Sequence, residues 1–123
     1  MRLTVKEADV LKACLQFLKL FCGVAFRNNT GALPATYRGK SRLIRFGEPG
    51  SSDLLAVLPA SRHGDAPGRL LAVECKRPGG KPSPLQAAFL ERVRAAGGVG
   101  LVADSVASLE RQLAELGYSW GGR

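Results

Sequence analysis

A chain of 123 residues with 46% hydrophobic content has the scale of one domain, burying about two thirds of the surface its unfolded form exposes. No apolar run approaches the ~18 residues of a membrane span, and Lys6, Glu7, Asp9 and Lys12 break up the first apolar stretch, which excludes a signal-peptide pattern and predicts a soluble, intracellular protein. The net charge of +8 points to a polyanionic partner, and its distribution sharpens the point: Lys12, Lys19, Arg27, Arg38, Lys40, Arg42 and Arg45 fall between Asp9 and Glu48 with no acid among them.

In chain order, Thr4 and Glu7 form a capping-box pattern ahead of Ala8, Leu11, Leu15 and Leu18 at helical spacing, which predicts a helix over 5–21. "RNNTGALPATYRGKS" is rich in turn-formers and reads as a long loop or irregular hairpin before a short strand, "RLIRF". "DLLAVLP" and "RLLAVECK", joined by "ASRHGDAPG", predict an antiparallel hairpin. Ser83 and Pro84 open a second helix with Leu85, Ala88, Phe89, Val93 and Ala96 on one face. "VGLVA" follows as a buried strand, and Val106, Leu109, Leu113 and Leu116 mark a last helix. The order α-β-β-β-α-β-α contains one βαβ unit, so the expected fold is α/β: a mixed four-stranded sheet flanked by helices.

Cysteine and histidine counts narrow the chemistry. Cys14, Cys22 and Cys75 have no C-x-x-C spacing and are odd in number, against both a zinc site and a disulfide framework, and His63 is the only histidine. A metal would have to be held by oxygen.

Glu74 and Lys76 sit on one face of an otherwise apolar strand, where charge is costly without a partner. If Leu58 faces Arg69 beside the hairpin loop, Asp53 faces Glu74, with Cβ atoms about 4.5–5.5 Å apart. Like charges at that separation call for a cation between them. Hard oxygen ligands suit Mg2+ or Mn2+, with the Cys75 backbone carbonyl as a further ligand and Lys76 placed to orient water and offset charge on a phosphoryl oxygen.

"GEPGSSDLLAV", "AVECKRPGGKPSPLQAAFL" and "AAGGVGLVADSVASL" together resemble the VRR-NUC (virus-type replication-repair nuclease) branch of the PD-(D/E)XK nucleases over about residues 24–113. The sequence departs from that pattern at Ser52, where the superfamily name has proline, and at Cys75, where an aliphatic is commoner. The resemblance implies a restriction-endonuclease-like core and a Mg2+- or Mn2+-dependent DNA phosphodiesterase, cytoplasmic in a bacterial host or phage-encoded. Asp53 and Glu74 would be its metal ligands and Lys76 its catalytic lysine, with roles for Gln86 and Glu7. Both of the last two also stand third after a Thr or Ser cap, so Glu7 reads equally as ligand or cap.

The expected activity is structure-selective cleavage of branched or nicked DNA, such as a Holliday junction, by a homodimer that meets through a helix or the apolar "VGLVA" strand. Arg27, Asn28, Asn29, Arg38, Lys40, Arg42, Arg45, Arg77 and Lys81 are the expected DNA-binding residues, although a left-handed turn would equally explain Asn28 and Asn29. A non-catalytic nucleic-acid-binding module and an RNA-directed nuclease of the same chemistry are the alternatives.

Overall fold

The computed structural model describes residues 4–60 and 67–118; His63 lies outside them. Val10, Cys14 and Leu18 recur every fourth residue and are buried, flanked by Leu11, Leu15, Phe17 and Phe21, and this stripe defines helix α1, Glu7–Phe21. The helix begins later than the capping pattern implies. Its N-cap is Lys6, which makes no side-chain cap bond, so the Thr4–Glu7 capping box does not form and Glu7 instead lies in the first turn, where its charge complements the helix dipole.

From Cys22 the chain enters β1, Val24–Arg27, which the sequence reading passes over, and then β2, Gly31–Tyr37, and β3, Lys40–Phe46. β2 and β3 pair antiparallel as a two-stranded sheet of their own. Their turn is Arg38-Gly39, with φ of 50° and 75°, the doubly left-handed geometry whose twist matches a two-residue hairpin. The expected irregular segment is therefore a regular ribbon, and "RLIRF" belongs to it rather than to the main sheet.

The main sheet adds β4, Leu54–Leu58, β5, Arg69–Cys75, and β6, Val99–Ala103, in the order β1-β4-β5-β6. β1, β4 and β5 are antiparallel neighbours and β5 and β6 are parallel, joined through helix α2, Pro84–Ala95. The sheet is mixed and four-stranded as expected, but β1 is its first strand, and the full order is helix, five strands, helix, strand, helix.

One face of the sheet carries Leu54, Leu58, Leu71, Val73, Cys75, Val99 and Leu101 against α1 and the final helix α3, Val106–Glu115. Each fully buried leucine there contributes about 1.5–3 kcal/mol. On the other face Ala72 packs with Leu90 and Val93 of α2. The inward stripe of α2 is thus Gln86, Leu90 and Val93, one turn apart, whereas Leu85, expected inside, is exposed. That rotation turns Gln86 toward the sheet.

Val99, Leu101 and Ala103 are buried, so the "VGLVA" strand offers no apolar patch to a partner. Exposed apolar residues lie elsewhere on the sheet: Val24, Val57 and Leu70 form one cross-strand row, with Phe26 beside it. No described helix is long and apolar enough to cross a membrane.

Candidate active site

The pairing of β4 with β5 runs from Leu58↔Arg69 to Leu54↔Val73, and one further step puts Asp53 opposite Glu74, the register the sequence predicts. β1 and β4 extend in the same way: beyond Arg27↔Leu54, the Asn28 N–H donates to the Asp53 carbonyl at 2.7 Å. Three adjacent strands therefore deliver Asn28, Asp53 and Glu74 as one row on the α2 side of the sheet.

Asp53 is held by the end of the ladder. Its Oδ2 accepts the Cys75 N–H at 2.8 Å, a bond that a longer β4 would make with the Ser52 carbonyl. The Ser52 carbonyl instead accepts from Asn28 Nδ2 at 3.0 Å, and the same amide donates to Ser51 Oγ at 2.8 Å. Asn28 is thus a clamp on the segment entering Asp53, not a left-handed turn residue, and neither it nor Asn29 has positive φ. Gly50, at φ 76°, lets that segment lie against α2, because a Cβ there would come within 2.6 Å of Leu85.

Ser83 and Gln86 complete the capping box of α2: the Ser83 N–H donates to Gln86 Oε1 at 2.8 Å and the Gln86 N–H to Ser83 Oγ at 3.2 Å. The capping reading of Gln86 therefore holds, and the same residue also faces the row. A cleft of about 350 Å³ opens there, lined among others by Arg27, Asn28, Asn29, Ser51, Asp53 and Gln86. Ser51 and the Asn28 clamp are the parts that sequence reasoning missed; the glycine- and serine-rich approach "GEPGSSD" was their one signal.

Glu74 is 1% exposed. Burial pushes its carboxyl up to about 8, the Asp53 charge adds to the rise, and Lys76 opposes it. Its Oε2 has no hydrogen-bond partner. Lys76 Nζ stands 3.8 Å from Glu74 Oε1 and 3.8 Å from Glu7 Oε1, between two carboxylates, while its N–H is anchored on the Ala103 carbonyl at 2.9 Å. Glu7 therefore meets the site through Lys76. Cys75 turns its thiol into the core, where a hydrogen bond with Cys14 lowers the Cys14 pKa, so only its main chain is available to the site.

A small hard cation suits these donors. The two facing carboxylates have one ammonium beside them, Lys76, and Glu74, raised in pKa, still carries a buried oxygen with no protein donor, which leaves room for a second positive charge. Among the described residues no group of three or more His, Cys, Asp or Glu is arranged to hold a metal. The protein's share would be Asp53, Glu74 and the Cys75 carbonyl, a set that fits Mg2+, which keeps several waters.

The remaining expected DNA-binding residues fall into two groups. Arg38, Lys40, Arg42 and Arg45 are exposed on the β2–β3 ribbon, with the Arg38 guanidinium 5.4 Å over the Tyr37 ring. Arg77 and Lys81 are exposed on the connection from β5 to α2. No family model matches the chain, and no curated protein matches it.

Proposed function

We propose that the protein is a Mg2+- or Mn2+-dependent DNA endonuclease of the VRR-NUC type, hydrolysing phosphodiesters in branched or nicked duplexes. The observation that carries this reading is Glu74, buried opposite Asp53 with one carboxylate oxygen unpartnered and Lys76 alongside. Folding gains little from the arrangement, since a buried polar atom with no protein donor costs about 1–3 kcal/mol and Lys76 offsets only part of the cost of burying the carboxyl.

Asp53, Glu74 and the Cys75 carbonyl would hold the cation, which when bound supplies Lewis-acid polarisation of the phosphate and a water of lowered pKa. Lys76, anchored through its backbone on β6, keeps a cation beside the carboxylates and offsets charge developing on a phosphoryl oxygen. Gln86 spends its Oε1 on the cap, which leaves its amide donor for a substrate oxygen in the cleft. Arg27 at the cleft and the basic ribbon supply phosphate contacts that position the backbone without reading sequence.

A homodimer belongs to the reading, because a four-way junction offers two symmetry-related strands and a two-fold assembly matches them. The exposed row of Val24, Val57 and Leu70 is the surface a second copy would cover.

The test is incubation of wild type and Glu74→Ala with branched, nicked and linear DNAs and matched RNAs, with and without magnesium or manganese. Metal-dependent cuts in DNA that vanish in the variant are expected. No cleavage of any substrate, or undiminished cleavage by the variant, overturns the proposal.

A further inference from the structure

The chain leaves the site at Asn28 and returns to it at Asp53, and the β2–β3 ribbon is what it builds between. Every residue of β3 is exposed, and so is every residue of β2 except Ala35. The two strands pack chiefly on each other. A lone two-stranded ribbon is marginal in water, so one that stands out beside a cleft needs a partner to account for it.

Residues 31–46 carry Arg38, Lys40, Arg42 and Arg45 and no acid. Directly paired residues share a face, so Lys40 with Tyr37 and Arg42 with Ala35 lie on one side of the ribbon, and Arg45 with Ala32 on the other. Arg38 occupies the turn itself, at φ 50°, a conformation that favours Gly or Asn over arginine. Positive charge is therefore present on both faces and at the tip. A flat anionic surface would meet one face; walls of phosphate on either side would meet both. A second copy of the chain would instead set four more cations against these four.

We infer that the β2–β3 ribbon is a duplex-reading arm that enters the major groove of DNA beside the strand held in the cleft, with Arg38, Lys40, Arg42 and Arg45 on the phosphates and base edges. The major groove is about 12 Å wide and admits a two-stranded ribbon. Seven-residue strands reach about 23 Å. The inference rests on the nuclease reading for what the cleft does to the neighbouring strand, but not for duplex binding itself.

The experiment compares full-length wild type with the fourfold variant Arg38→Gln, Lys40→Gln, Arg42→Gln, Arg45→Gln. Binding to a duplex of about 30 base pairs and to the same sequence single-stranded is measured without metal over a salt series, with dimethyl sulfate protection of guanine N7 as the groove readout. The variant should lose at least tenfold in duplex affinity, its log–log salt slope should be shallower by about 2–4 at about 0.9 per phosphate, and N7 protection should disappear. Its melting transition and manganese-induced stabilisation should persist, showing an intact fold and site. The double variant Arg42→Gln, Arg45→Gln, which leaves the turn unaltered, should move affinity and slope the same way by about half.

Unchanged duplex affinity and slope, absence of N7 protection in wild type, or a dimer that dissociates in the variant while duplex affinity stays the same would each overturn the arm. The two readings fail separately. If wild type cleaves nothing but the variant loses duplex binding and protection, the nuclease reading falls and the arm stands. If cleavage depends on Glu74 but the variant binds and protects like wild type, the arm falls.

Discussion

Asp53 Oδ2 accepts the backbone N–H of Cys75 at 2.8 Å, so a side chain at the end of β4 takes the place of a ladder hydrogen bond and is fixed opposite Glu74. The register sets the two carboxylates opposite each other, and Asp53 cannot swing away without breaking that bond.

Asn can accept that N–H through its own side-chain oxygen, so Asp53→Asn keeps the anchor and removes only the charge. Without metal and at about pH 9, where the Glu74 carboxyl, raised to about 8, is ionised, the variant should be as stable as wild type or more so, because the opposed charges no longer repel. With manganese at a hundred times Kd, wild type should gain about 2.7 kcal/mol and the variant much less. Thermal melts of both, with and without manganese, measure this. An equal metal response would show that Asp53 is not a ligand.

Glu74 makes stability depend on pH in an unusual direction. Its carboxyl rises from 4.5 to about 8, first through burial and then through Asp53, so the native state holds this proton more tightly than the unfolded chain does. The associated stability is fully present below about 4.5 and is lost as pH climbs through about 8. Metal-free wild type should therefore weaken relative to Glu74→Gln between about pH 4.5 and pH 8.5, by a few kcal/mol at most, while other titrating groups cancel in the difference. Urea titrations at both ends of that range measure it. A flat difference would mean that the carboxylate is ionised throughout.

Ser52 is fully buried, and its Oγ has no hydrogen-bond partner. Its carbonyl, not its side chain, makes the bond to Asn28. Ser52→Ala should therefore raise stability by up to about 1 kcal/mol, the desolvation cost of the hydroxyl less a small packing loss. A urea midpoint that falls instead would assign the hydroxyl a partner, such as a buried water.

The paired carboxylates were legible in the sequence because Leu58 and Arg69 pair beside the connecting loop, so the register could be counted from them toward the open end of the hairpin. The βαβ unit was legible for a similar local reason: Ser83, Pro84 and Gly97 mark the ends of α2, and Gly97 has φ 99°. β1 was not, since only Ala25 of its four residues packs against the main core. The ribbon was hidden because both its faces are exposed, which removes the alternation that reveals a half-buried strand. For α2, Phe89 and Val93 pack inward as expected, but Leu85, Ala88 and Ala96 are exposed and Leu90 takes the centre of the buried stripe. Leu85 and Leu90 both suit a helix, and the contact that selects Leu90 is made against Gly100 of β6, where a Cβ would come within 2.9 Å of the Leu90 carbonyl.

Gln86 carries two roles that substitutions can separate. Its Oε1 accepts the Ser83 N–H in the capping box, and its side chain lines the cleft with Asp53. The box accepts Glu or Gln at this position, and a carboxylate there also complements the positive end of the helix, so Gln86→Glu should hold stability within about 0.5 kcal/mol. It removes the amide donor and adds negative charge beside Asp53, and should lower turnover at least tenfold if the amide serves the substrate. Gln86→Ala loses the cap as well and should cost about 0.5–1 kcal/mol in addition to the lost turnover. Melting and single-turnover cleavage, measured together on the two variants, separate the roles: a stable Gln86→Glu with wild-type turnover would confine Gln86 to the helix cap.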